Sequence, residues 1–203
     1  DEVELSFEAY NNDDSNSVVT MPDGVKLLRF AVILGPNASG KSNLLEAIEF
    51  LRQFWNELPQ KNDEGTEVQP FLMQPDALSH NTEFDLKIYV DGLRYWYQLE
   101  VNPEKVVSES LSVYLSNRPT KIFSRGDVNG ISKITFNPSV VKLTPAEIDV
   151  ISISCLRNMS LLAVLKKVNV EIAYVDNLRH WIDLKMMPLQ RGTETTISTS
   201  VKN

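Results

Sequence analysis

Apolar and polar residues alternate along two stretches that meet at one turn. Phe84, Leu86, Ile88 and Val90 take every second position, and Leu93, Tyr95, Tyr97, Leu99 and Val101 do the same after Asp91-Gly92. A period of two places one set of side chains on one face of a strand. Asp-Gly between two such runs predicts a tight hairpin. Asn102-Pro103 ends the second strand. A third is expected over residues 107–115, with Leu111, Val113 and Leu115 inward and Ser110, Ser112, Tyr114 and Ser116 outward. Glu109 shares the inward parity, and a carboxylate facing a core needs a partner. Either the strand starts after Glu109 or bulges there, or Glu109 serves a nucleotide or partner interface. Ile122-Phe123 and residues 131–136 flank Gly126-Asp127-Val128-Asn129-Gly130, a second hairpin. The middle of the chain therefore reads as an antiparallel β-meander.

On either side the period lengthens. Leu44, Leu45, Ile48, Leu51 and Phe54 or Trp55 follow helical spacing, in a helix that should reach about residue 57 and stop before Pro59. Thr144-Pro145-Ala146-Glu147 is a capping box with proline in the first helical position. Ser160 caps a helix running to Val168, and Ile172, Val175, Leu178 and Ile182 mark another over residues 171–186. At the start, Val3, Leu5 and Phe7 alternate as in a strand, with a short return at residues 17–20 and a turn at Pro22-Asp23-Gly24. Residues 58–82, with Pro59, Gly65, Pro70 and Pro75, read as an exposed irregular loop, mobile around residues 61–67 and pinned by Phe71-Leu72-Met73 and Ala77-Leu78. Residues 189–203 are rich in threonine and serine and read as a flexible tail. The resulting division is a core at 1–57, a loop and meander at 58–137, a helical segment at 138–188 and the tail.

Phe30 to Leu34 is a continuous apolar run, as in a buried strand, and it enters Gly35-Pro36-Asn37-Ala38-Ser39-Gly40-Lys41-Ser42. That octapeptide fits the phosphate-binding P-loop, and the expected helix starts directly after it. Gly35 and Gly40 permit backbone angles and a close approach that a Cβ would forbid. Loop N–H groups and the helix N-terminus, from Gly35 through Asn43, would cradle phosphates. Lys41 supplies a point charge for the β- and γ-phosphates, and the Ser42 hydroxyl is placed to hold Mg²⁺.

Composition narrows the classes. A chain of 203 residues can bury a core without disulfides, and no apolar run is long enough to cross a bilayer. Cys155, the one cysteine, lies in an apolar stretch and reads as a core residue; with no signal-peptide pattern, a cytoplasmic location is expected. The net charge of −7 argues against nucleic-acid binding by this segment, and the basic groups Arg118, Lys121 and Arg125, or Lys166-Lys167, read as solvated faces.

A P-loop hydrolase also needs an acidic residue for Mg²⁺. Asp91 and Asp176 each end an apolar stretch, but a hairpin turn accounts for the first and a helical pattern surrounds the second. No guanine-reading N-K-x-D occurs, and His80 and His180 lie far apart without a cysteine partner, so a GTPase and a metal centre have no support.

GPNASGKSN, with KSNLLEAIEFLRQF, Pro70-Phe71, TEFDLKIYVDGLRYWYQLEV, VVSESL and RNMSLLAVL, resembles the N-terminal lobe of ABC-type ATPases of the SMC and RecF kind, in their bacterial OLD-like, abortive-infection branch. The resemblance implies an α/β P-loop NTPase: an ABC-type ATPase lobe with an antiparallel β-meander and C-terminal helices. It implies ATP and Mg²⁺ held between two subunits of a homodimer or higher homo-oligomer. Asn37 would approach the γ-phosphate, Lys41 would serve catalysis, and Gln74 would join Ser42 around the Mg²⁺. It further implies ATP hydrolysis that controls a nuclease or toxin effector in anti-phage defence. The signature motif and the Asp-Glu strand of that family are absent, so the chain is expected to be part of a longer protein. A module that binds ATP without hydrolysing it is the alternative.

Overall fold

The computed structural model describes residues 3–9, 16–37, 39–59, 61, 64–70, 80–128 and 131–185. Five strands succeed one another in chain order across one antiparallel sheet: β3 (Thr82–Val90), β4 (Leu93–Val101), β5 (Val106–Tyr114), β6 (Pro119–Val128) and β7 (Ile131–Phe136). The first hairpin forms where the alternation places it, with Val90 opposite Leu93. Asp91 and Gly92 both take positive φ, 49° and 80°. That geometry matches the right-handed twist of the flanking strands, which is why Asp-Gly fits there.

One face of the sheet carries Tyr95, Tyr97, Leu99, Leu111, Val113 and Phe123, all buried. Helices cover it. In α1 (Lys41–Asn56) the C-terminal half supplies Leu51, Phe54 and Trp55, and the Trp55 ring meets Tyr97 edge-on at 5.0 Å. In α3 (Leu161–Lys167) every residue from Leu161 to Leu165 is buried, and α4 (Ala173–Lys185) adds Val175, Leu178 and Ile182. The other face is polar, with Asp85 accepting hydrogen bonds from Trp96 Nε1 (2.8 Å) and Gln98 Nε2 (3.2 Å).

In chain order, α2 (Pro145–Ser154) follows β7 and precedes α3. Thr144 Oγ1 accepts from the Glu147 N–H and Glu147 Oε2 accepts from the Thr144 N–H, so the capping box closes as expected. Thr144→Ala removes one half of it and should lower stability by about 1 kcal/mol in urea denaturation. An unchanged midpoint would mean that packing of Ile151 alone holds the helix.

Several expectations are corrected. Residues 30–34 form no strand; Phe30, Val32 and Leu34 are 67%, 72% and 87% exposed. No neighbouring strand among the described residues takes up their backbone groups. The opening strand pairs only at its end. The Leu28 N–H donates to Phe7 O and the Ala9 N–H to Lys26 O, beside the two-stranded β1 (Val18–Thr20) and β2 (Lys26–Leu28). The segment around residues 61–67 is anchored where described. Thr66 is buried and its hydroxyl donates to Asn102 O at 2.6 Å, and Asn158 Nδ2 donates to Lys61 O and Glu64 O. The third strand ends at Tyr114, leaving Leu115 exposed, and a bulge between Glu100 and Val101 buries Val106 in place of Val107. Arg125 is buried, not solvated, because it shares the inward parity of Phe123. The apolar groups at residues 71–73 and 77–78 and the tail lie outside the described residues.

Candidate phosphate-binding site

The P-loop joins the exposed segment 30–34 to α1. Gly40 is the N-cap of α1 at φ 85°, a left-handed conformation that a Cβ would strain. A Cβ on Gly35 would sit 2.8 Å from Ser39 Oγ, so a larger residue there would turn the Ser39 hydroxyl aside. Lys41 folds back over it: Nζ donates to Gly35 O (2.8 Å), Pro36 O (2.5 Å) and Ser39 Oγ (3.2 Å). Ser42 and Asn43 follow in the first turn of α1, exposed. Among the described residues no side chain caps that turn, and no acidic residue lies in it. Its N–H groups and dipole are thus free to meet an anion, and the loop carries a cation beside them.

The loop is tied on both flanks, upstream to the meander and downstream to the helices. Upstream, the turn before β2 docks on the first hairpin: Asp23 accepts from the Tyr89 hydroxyl at 2.8 and 3.1 Å, and Arg94 Nε approaches it at 3.4 Å while its guanidinium lies 3.9 Å from the Tyr114 ring centre. Burial opposes the Asp23 charge, but Tyr89, the Val25 N–H and Arg94 outweigh it and hold the carboxyl below its ordinary range. Burial and Asp23 together push the Tyr89 phenol up to about 12. Downstream, Lys166 Nζ donates to Asn56 Oδ1 at the end of α1 and to Asp183 Oδ1 of α4. The sequence left a sign of the upstream tie. Tyr89 and Tyr114 are large aromatics at positions of otherwise polar parity, as a covered patch requires.

The other candidates are not brought to the loop. Asp91 forms the hairpin turn, and Asp176 accepts from the Ile172 N–H and pairs with Arg179 on α4. Ala38 and Gln74 lie outside the described residues. Among the described residues no group of His, Cys, Asp or Glu side chains is arranged to hold a metal. No described helix is long and apolar enough to cross a membrane. Cys155 is buried, and burial pushes its thiol up to about 12, which makes it a core residue without nucleophilic character.

Glu109 does face inward. Tyr97 and Ser160 hydroxyls and the Leu161 N–H donate to its carboxylate, and Arg125 lies 3.8 Å away. β5 begins before Glu109 and pairs it in register on both sides, so the strand neither starts after it nor bulges there, and its partners are structural, so the interface reading falls away too. Sequence reasoning missed Arg125 as that partner, though its parity with Phe123 was the available signal.

A family model described as "AAA domain, putative AbiEii toxin, Type IV TA system" matches residues 30–138. No curated protein and no solved structure matches the chain. The matched span covers more than half of the chain and takes in the phosphate loop, α1 and the whole meander, so the chain belongs to this family of AAA domains.

Proposed function

We propose that this chain is the ATP-binding lobe of a P-loop, ABC-type ATPase. In a homodimer or higher homo-oligomer it hydrolyses ATP to control a nuclease or toxin effector in abortive infection or toxin–antitoxin defence. The observation that carries the nucleotide reading is the Lys41 geometry over an uncapped helix N-terminus. The residues present fit MgATP: Gly40 turns the chain into α1 at a left-handed φ that favours glycine, and no carboxylate in the first turn of α1 would repel phosphate. Lys41 would reach the β- and γ-phosphates in place of its present carbonyl partners, Ser42 would hold Mg²⁺, and Asn37 would lie toward the γ-phosphate. Bound Mg²⁺ supplies charge neutralisation between those phosphates.

Hydrolysis needs a carboxylate from elsewhere, since Asp91 and Asp176 are committed to a turn and a helix. The apolar surface of residues 30–34, with Leu45 and Ile48 of α1, is exposed on the elements flanking the loop and offers packing for the element that brings it. The second reading is an ATP-binding module that does not turn ATP over, and the same commitment of both aspartates favours it. Titration calorimetry on the native chain tests the first step: ATP with Mg²⁺ should saturate at one per chain, and AMP should not bind. Absence of MgATP binding overturns both readings. Single-turnover hydrolysis then separates them, since cleavage in one cycle excludes the non-hydrolysing module.

A further inference from the structure

The helix α2 has two apolar stripes where a surface helix has one. Ile148, Ile151 and Cys155 face the core. Ala146, Asp149, Val150 and Ile153 recur at helical spacing along the opposite side and are all exposed, Val150 at 51% and Ile153 at 81%. Ile153 also borders an open groove of about 430 Å³ lined by Leu58, Pro59, Ser154, Leu156, Met159 and Val164. Lys167 stands at its rim. Its neighbour Lys166 is held by Asn56 and Asp183, whereas Lys167 and Asp149 have no ion-pair partner among the described residues.

We propose that this face is an isologous interface with a second copy of the chain, in which two α2 helices pack antiparallel across a two-fold axis near Val150. Such an interface must carry both halves of its complementarity on one surface. This face does: an apolar stripe beside an apolar groove, an acid in the stripe and a base on the groove's rim. Antiparallel packing sets the Asp149 side of each stripe toward the partner's groove and its Lys167, and it opposes the two helix dipoles favourably. Ala146 leaves room for close approach of the partner helix near Ile153. The contact involves none of the phosphate-loop residues, so it operates without nucleotide and apart from any ATP-dependent pairing.

Sedimentation equilibrium of the full chain without nucleotide tests this. A reversible monomer–dimer equilibrium is expected, weakened by about tenfold or more in Ile153→Asp. Asp149→Lys and Lys167→Glu should each weaken it, and the combined variant should recover it, which a merely structural role for either residue would not produce. Lys41→Ala should leave this dimer unchanged, so loss of nucleotide binding and loss of this interface are read separately. Ile153, Asp149 and Lys167 are exposed, and a thermal melt of each variant checks that it is folded; if Ile153→Asp does not fold, the charge-swap pair carries the test alone. A chain that stays monomeric overturns the proposal, as does a dimer indifferent to both Ile153→Asp and the charge swaps. A groove covered by a different protein in place of a second copy overturns it too.

Discussion

Lys41→Ala lowers the affinity for MgATP by about tenfold to a hundredfold, the range for losing a hydrogen-bonded charge on an ionised partner. The effect falls on binding and not on the fold. Among the described residues, Lys41 Nζ bonds to the exposed loop that it closes, two carbonyls and the Ser39 hydroxyl, and none of these belongs to the core. Stability should therefore change by no more than about 0.5 kcal/mol. Lys41→Arg should not restore affinity, because a planar fork does not fit a loop closed around a compact ammonium. Calorimetry with ATP and Mg²⁺, beside a thermal melt without nucleotide, reads the two effects independently. Equal affinity in the Ala variant and the native chain would remove Lys41 from the site and with it the ATP reading.

The parts of the fold that could be read from the chain are those set by local rules. Asp91-Gly92 demands a left-handed pair of residues, and both are found there with positive φ. Thr144 to Glu147 is a complete cap in four residues, and it forms. The helix after the phosphate loop spans nearly its expected length because its apolar spacing and Pro59 bound it. The errors arise where long-range pairing decides. Phe30 to Leu34 has the composition of a buried strand, but a strand needs neighbours, and composition cannot say where they are. Arg125 reads as solvated in the sequence because a charged side chain is usually so. Its burial depends on Glu109, which is far from it in sequence and beside it in the sheet. The phosphate loop was legible because its chemistry is local, whereas the Asp23 tie joins residues 66 apart and left only the aromatic parity of Tyr89 as a trace.

Glu109→Ala lowers folding stability by about 3–5 kcal/mol, the cost of leaving a buried charge and its donors without their partner. The carboxylate joins its own strand β5 to β4 and to the start of α3. Tyr97 donates to it from β4 at 3.0 Å, Ser160 from the N-cap of α3 at 2.6 Å, and the Leu161 N–H from the first turn of α3 at 2.8 Å. Burial first, and then the Glu109 charge, hold the Tyr97 phenol well above its ordinary range, so it remains a donor. Arg125 secures the loop before α3 from the other side, donating to Met159 O and Leu156 O as well as to Ser132 Oγ. Without Glu109 the guanidinium keeps those carbonyls but loses its counter-charge in a site that excludes water. Replacing both residues by apolar ones, as in Glu109→Leu with Arg125→Met, should cost less than the sum of the single changes, because the pair's desolvation is then removed together with its attraction. Urea denaturation of the two single variants and the double variant measures this. A loss below about 1 kcal/mol in Glu109→Ala would mean that apolar packing of Leu161 to Leu165 seats α3 unaided. Since α3 is the helix that packs on α1, the loss should reach the phosphate loop indirectly: MgATP affinity in a partly destabilised Glu109 variant falls in proportion to its unfolded fraction and recovers on cooling, whereas the Lys41 defect persists in a fully folded chain.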